Sequence, residues 1–247
     1  MDVYRIAWIG LVAGAIGTGL GGAITVLLGR PGNRVLSFVL GFSGGIMLAI
    51  IFSDLIPEGF AISGPGIPFI GLVLGVVLIL GLDIVLPHFH LFSEETERSR
   101  YLKTGLVLGL GITMHNLPEG LAIGTGYVVS ELTGASLVLA MVVQNIPEGM
   151  AMAAPLVVAA VPAGKCVLMT VLAGVPMGLG AFLGAKFGAI SPLSLSLSLG
   201  FAAGAMLYIV FDELLPAAQD LSEGRQEGTF GAVAGVIVGL ALLNFLG

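Results

Sequence analysis

The sequence predicts an all-α membrane protein with eight transmembrane helices in an inverted-repeat bundle. Three observations carry the prediction. The first is composition: 57% of the 247 residues are hydrophobic, only 10% are charged, and the mean hydropathy is +1.09. A soluble domain has about 25% charged residues, and a core of this size cannot hide so much apolar surface from water. The second is that the apolar segments are continuous and close to the ~20 residues a crossing helix needs, without strand-like alternation, which excludes a closed β-barrel. The third is an internal repeat, described below. The 39 glycines fit close helix packing in lipid. A secreted globular enzyme and a disordered chain are excluded. A nucleic-acid partner is excluded by the net charge of −6 and the lack of a basic patch. The single cysteine, Cys166, permits neither an intrachain disulfide nor a Cys-based zinc cluster.

The spans fall in order at 6–29, 34–57, 67–87, 103–126, 133–158, 165–187, 194–217 and 229–246, within a single transmembrane domain, 1–247. The first is too long for a signal-peptide core and is read as a retained helix. Arg30-Pro31-Gly32-Asn33-Arg34 ends it, and Gly64-Pro65-Gly66 separates the second from the third. The polar stretch 88–102 divides the third from the fourth. Ser130-Glu131, Pro162-Ala163-Gly164-Lys165, residues 186–192 and residues 220–227 supply the later breaks. Loops after odd-numbered spans hold Arg30, Arg34, Arg98, Arg100, Lys103, Lys165 and Arg225, against Arg5 and Lys186 on the other face. The positive-inside rule then places both termini outside and the 88–102 loop in the cytoplasm.

Residues 40–57, LGFSGGIMLAIIFSDLIP, match residues 199–216, LGFAAGAMLYIVFDELLP, at 10 of 18 positions without a gap. Met47/Met206, Phe52/Phe211 and Pro57/Pro216 are the informative identities. The two stretches lie in spans 2 and 7, which must run in opposite directions. Spans 4 and 5 carry a second matched pair, His115-Asn116-Leu117-Pro118-Glu119-Gly120 and Gln144-Asn145-Ile146-Pro147-Glu148-Gly149. Inverted repeats place a substrate site near the midplane, on helices interrupted by Pro or Gly.

On a helix, His115 and Glu119 share a face at i,i+4, with Asn116 beside them at i,i+3 from Glu119. Gln144, Asn145 and Glu148 repeat the pattern. Pro118 and Pro147 each free a backbone carbonyl, of Met114 and Val143, and bend their helices. Gly120 and Gly149 keep the backbone accessible. Antiparallel helices bring together one imidazole, two carboxylates and a primary amide. That nitrogen-and-oxygen shell suits Zn²⁺, and also Fe²⁺, Mn²⁺, Co²⁺ or Cd²⁺. A mid-membrane glutamate costs ~2.5–3.5 kcal/mol even on lenient scales, and two of them are neutralised by a divalent cation.

The paired HNLPEG and QNIPEG motifs resemble the ZIP (Zrt/Irt-like) family of divalent metal transporters, most of all its bacterial GufA-like branch. The resemblance covers essentially the whole chain. It implies a 3+2+3 helix bundle, often a homodimer, in a bacterial inner membrane. It implies Zn²⁺ or a related ion as transported substrate, with no cofactor and no enzymatic activity. It also implies that the cargo moves toward the cytoplasm as helices 1, 4, 5 and 6 slide elevator-like against the others. His115, Glu119, Gln144 and Glu148 would form the primary site, and Asn116 and Asn145, with the shared glutamates, a second one. Two departures weaken that second site: position 145 is Asn where an acid is common, and Met177 stands where the family often has Glu. One strong site with a weak or absent neighbour is expected.

Along the path, Ser53 and Asp54 would draw a cation in, and Asp212 and Glu213 would hand it out. Glu58 and Asp83 are weaker candidates. His88 and His90 could hold metal at the inner mouth, and Met47 could line the path as a soft ligand. Met206 reads as core. Six acids lie within spans, namely Asp54, Asp83, Glu119, Glu148, Asp212 and Glu213, and they equal the whole net charge of −6. Two alternatives are an intramembrane zinc metallohydrolase on the same His and Glu residues, disfavoured by the lack of HExxH, and an ion-coupled carrier of an organic substrate, which predicts no stabilisation by metal.

Overall fold

A computed structural model describes residues 2–29, 31–85, 97–222 and 224–246. Among the described residues there are eight helices and no strand: α1 (Val3–Leu28), α2 (Asn33–Ser63), α3 (Gly66–Val85), α4 (Glu97–Val129), α5 (Glu131–Val158), α6 (Ala163–Gly188), α7 (Pro192–Ser222) and α8 (Glu227–Leu246). Seven are long and apolar enough to cross a membrane, while α3 offers a shorter apolar stretch, Gly66–Leu82. Large apolar side chains such as Trp8, Phe69, Val77, Leu172 and Ile237 face outward, more than half exposed. The interior holds fully buried Ser, Thr, Asn, Gln and Glu. This inversion of the water-soluble pattern is what lipid as solvent selects. Buried hydroxyls find acceptors on their own helices, as in Thr18 to the Gly14 carbonyl at 2.8 Å and Thr25 to that of Gly21 at 3.0 Å.

Helices α2 and α7 are each 31 residues long and run past the predicted stops at 57 and 217. Pro57 and Pro216, near those stops, do not end them. Instead, each proline follows a π-helical turn, Ile51–Leu55 in α2 and Val210–Leu214 in α7. The π turn widens the ladder just ahead of the proline. Its missing N–H then falls in the first turn of the next α-helical segment, where it is tolerated. Helix α2 ends at Gly64, whose φ of 73° is open to glycine at no steric cost. Helix α6, predicted as one unbroken span, has a turn at Val175, between Gly174 and Pro176.

The two matched segments correspond in structure as well as in sequence. A shift of 159 residues carries the bounds of α2 (33 and 63) onto those of α7 (192 and 222), and carries π turn onto π turn. The helices pack antiparallel. Ser37 Oγ donates to the Ala218 carbonyl at 2.7 Å, and Ser196 Oγ donates to the Gly59 carbonyl at 2.9 Å. These two bonds exchange under the same shift: Ser37 maps to Ser196 and Gly59 to Ala218.

Glycine seams divide the helices into two groups. Helix α8 lies against α2 through Gly231 and Gly235, and α3 lies against α7 through Gly71 and Gly75. In the other group α1 meets α5 at Gly21 and Gly149, and α6 meets α4 at Gly180 and Gly120. A Cβ at any of these positions would overlap the neighbouring backbone. Among the described residues, every glycine whose Cβ would overlap in this way meets a helix of its own group, either α1, α4, α5 and α6 or α2, α3, α7 and α8. No such seam joins the groups.

Replacing Gly231 by Val is therefore expected to destabilise the fold by at least ~1–3 kcal/mol, because its neighbour is backbone of Phe38 and cannot yield. Gly81→Val, with nothing within 4 Å, is expected to be neutral. Thermal midpoints of the two variants in detergent check the contrast.

Candidate metal centre

Helices α4 and α5 are joined at Ser130, which caps α5 by accepting from the Thr133 N–H at 2.9 Å. They lie antiparallel. Gly126 abuts Leu137 and Gly134 abuts Tyr127 near the connection, while Gly105 abuts Leu156 and Gly109 abuts Met152 at the far end. Both helices stay continuous through Pro118 and Pro147, and α5 carries a third interior proline, Pro155. Gly120 and Gly149 do not leave the backbone open, as had been expected. Each is filled by a neighbouring helix, Gly120 by the Met177 carbonyl region and Gly149 by the backbone of Thr18. The close fit of α6 and α1 is what these glycines permit, and it fixes the faces of α4 and α5 that turn inward.

Those inward faces hold the motif residues in one buried layer: Asn116, Glu119, Gln144 and Asn145 at 0% exposure, Glu148 at 1% and His115 at 4%. Gln144 Nε2 donates to Glu119 Oε1 at 2.5 Å. Asn145 Nδ2 donates to Asn116 Oδ1 at 3.1 Å, and Asn116 Nδ2 donates to the carbonyls of Ile112 and Ala173 at 2.8 and 3.2 Å. Ser43 Oγ, from α2, donates to Glu148 Oε1 at 2.9 Å. His115 Nε2 lies 3.0 Å from Glu213 Oε1 of α7, close but not aligned as a hydrogen bond.

The unpaired atoms of this layer are informative. Glu119 Oε2, Glu148 Oε2, Gln144 Oε1, Asn145 Oδ1 and both imidazole nitrogens of His115 are buried without a hydrogen-bond partner. Each amide nitrogen already donates to an acceptor, so the atoms without a partner are four acceptor oxygens and the nitrogens of one imidazole. A protein group that would satisfy them all would have to be a cluster of donors, whereas one cation satisfies lone pairs directly. The donor set is nitrogen and oxygen, without thiolate, which fits a borderline divalent ion bound reversibly. Among the described residues, no three His, Cys, Asp or Glu groups are close enough together to enclose an ion by themselves. A closed shell therefore draws on the Gln144 amide, or on a shift of His115 toward the carboxylates.

A cavity of about 490 Å³ reaches His115, Glu148 and Glu213 from the end of the molecule where α4 begins and α7 ends. Its walls are largely Leu, Ile and Ala, with Asp220 near the mouth. At the opposite end, Ser53 and Asp54 line a separate pocket of about 320 Å³ with Thr133, Ser136 and Asn244. Glu213 thus joins the central layer, while its repeat counterpart Asp54 does not. Asp212 is exposed and lines neither cavity, because the π turn directs only its neighbour Glu213 inward. Met47, Met177 and Met206 are fully buried in the main apolar core. His88 and His90 lie outside the described residues. Sequence reasoning missed Ser43 and Asp220. Ser43 had a signal, since the repeat pairs it with Ala202; Asp220 lay beyond the predicted end of its span.

An excess of acceptors predicts that one added donor stabilises the protein stripped of metal. Glu119→Gln is expected to raise its stability by ~1–3 kcal/mol and to abolish any further rise on adding Zn²⁺. Thermal unfolding with EDTA and with Zn²⁺ measures both effects.

Comparison with known proteins agrees with this chemistry. The family model described as ZIP zinc transporter matches residues 92–247, which include both motifs. The zinc transporters ZupT of Escherichia fergusonii and of Salmonella newport are each 39% identical over 120 residues, spanning 45% of this chain and 46% of each relative. The chain thus aligns with less than half the length of these curated relatives. With the family match running over more than half of its residues and through the whole buried layer, this chain belongs to the ZIP zinc transporter family.

Proposed function

We propose that this protein carries divalent transition-metal cations, foremost Zn²⁺ and also Fe²⁺, Mn²⁺, Co²⁺ or Cd²⁺, across a cell membrane toward the cytoplasm. The observation that carries the reading is the buried layer on α4 and α5 whose unpaired atoms are four acceptor oxygens and the nitrogens of one imidazole. His115, Glu119, Gln144 and Glu148 are the ligands. Asn116 and Asn145 bond to each other, and Asn116 to backbone, so a second ion has little left to bind. Membership in a transporter family sets aside the hydrolase alternative, and the imidazole suits a metal better than an organic cargo.

The whole chain acts as one membrane unit with eight crossings, arranged 3+2+3, and with both termini outside in a bacterial inner membrane. A cytoplasmic side for the open cavity is supported by the basic loops. The inverted repeat is supported by the matched π turns and the exchanged serine bonds of α2 and α7. An elevator-like motion of α1, α4, α5 and α6 past α2, α3, α7 and α8 is supported by the distribution of glycine seams: tight within each group, absent between them. Ser53 and Asp54 serve entry, and Glu213 serves release. The homodimer rests on the family resemblance.

Purified protein in liposomes is expected to take up ⁶⁵Zn, with competition from Cd²⁺ and Mn²⁺. Glu119→Ala and Glu148→Ala are each expected to lower uptake at least thirtyfold, the loss of one charged ligand worth about 2 kcal/mol. Metal binding without flux in the wild-type protein would overturn the reading.

A further inference from the structure

The hydrogen bond from Ser43 to Glu148 lies in an unusual place. Ser43 belongs to α2 and Glu148 to α5, so the bond crosses between the two groups that the glycine seams define. Both residues are almost completely buried, and Glu148 also lines the cavity. A serine hydroxyl here has one strong acceptor, a carboxylate, and charge-assisted bonds of this kind are about twice as strong as neutral ones. The bond also occupies Oε1 of a carboxylate whose other oxygen is unpaired.

The repeat makes the feature one-sided. A shift of 159 residues takes Ser43 to Ala202, which is fully buried and carries no hydroxyl. The reciprocal serines Ser37 and Ser196, six residues earlier on each helix, are retained in both halves and bind within their own group. If the halves exchange conformations, the Ser37 and Ser196 bonds are replaced by each other. The Ser43 bond has no replacement, since a methyl group cannot donate to Glu119.

We propose that Ser43 is a positioning residue of the transport cycle: its hydroxyl, donated to Glu148, favours the conformation open to the cavity on His115, Glu148 and Glu213, and a cation that takes both oxygens of Glu148 must displace it. This rests on the transport reading above. Ser43 is no metal ligand in this account. It sets how readily the carboxylate is released to one, and which side of the site is open before release.

Two consequences have the same sign. Without the hydroxyl, both oxygens of Glu148 are free to meet a cation, and the alternative conformation gains population. An ion arriving from the far side then binds with a lower apparent constant. Ser43→Ala is expected to lower the KM for ⁶⁵Zn uptake about threefold to tenfold, with Ser43→Thr, which keeps the donor, close to wild type. A merely structural role would raise KM or lower the yield of folded protein, and it would not lower KM. A second readout needs no flux. Ala217 lines the cavity, and Ala217→Cys in a Cys166→Ala background reports its openness through the rate of N-ethylmaleimide labelling in detergent. Ser43→Ala is expected to slow that labelling at least threefold, and Ser43→Thr to leave it unchanged. Labelling and KM both within twofold of wild type for a folded Ser43→Ala protein would overturn the proposal. If Ser43→Ala does not fold, Ser43→Gly, which also lacks the donor and adds no thiol, takes its place with the same expected shifts. A wild-type protein that carries no zinc sinks the transport reading alone, and the labelling rates still decide the role of Ser43.

Discussion

Two carboxylates buried in an apolar bundle, each with an oxygen that no protein group satisfies, are the constraint to which the rest of this structure answers. A carboxylate in such a place is costly unless it is paired. Glu119 and Glu148 receive one donor each, from Gln144 and Ser43. Everything around them limits further donors. Asn116 spends its N–H groups on backbone carbonyls, and Asn145 spends one on Asn116. The layer is thus held in place by amides yet kept short of protons, which leaves lone pairs as its unsatisfied feature.

That layer stands on helices α4 and α5 because their other faces are taken up by close packing. Gly120 and Gly149, directly after the two glutamates, are among the points where α6 and α1 pack closely. Adding a Cβ at either would push the flanking helix away and let the motif rotate. The same device, repeated along α2 with α8 and along α7 with α3, makes a second tight unit. Dispersion and backbone proximity drive helix association in lipid, where the hydrophobic effect between helices is weak. Among the described residues no such seam joins the units; side chains of one shared apolar core and polar pairs, such as Ser43 with Glu148 and His115 beside Glu213, hold them together. Polar contacts of this kind can be exchanged for others, whereas an interlocked glycine seam cannot slide without loss of packing.

The π turns of α2 and α7 serve the same layer. Each adds a residue's worth of rotation just before a proline, so the acids Asp54 and Glu213 point differently from the helix that precedes them. In one repeat the acid reaches the central cavity. In the other it lines the pocket at the opposite end. Equivalent residues in equivalent turns thus stand in unlike surroundings, as two halves of a repeat do when the site is open on one side.

Much of this was legible beforehand. Composition identified lipid as the solvent, because scarcity of charge reflects a whole-chain balance that needs no geometry. The paired HNLPEG and QNIPEG motifs identified the buried layer, because i,i+4 spacing on a helix puts His115 with Glu119 whatever the bundle does around them. The repeat identified α2 and α7 as matched segments running in opposite directions. What could not be read was the path of α2 and α7 beyond Pro57 and Pro216, since proline normally marks a stop and only the π turn removes the conflict. Nor could it be read that Gly120 and Gly149 are filled, that Glu213 and not Asp212 turns inward, or that Ser43 from a distant helix holds Glu148. Spacing along one helix is local and follows from 3.6 residues per turn. Which neighbour occupies a glycine's missing Cβ, and which hydroxyl reaches a carboxylate 105 residues away, depends on how helices dock, and only the tertiary structure decides that.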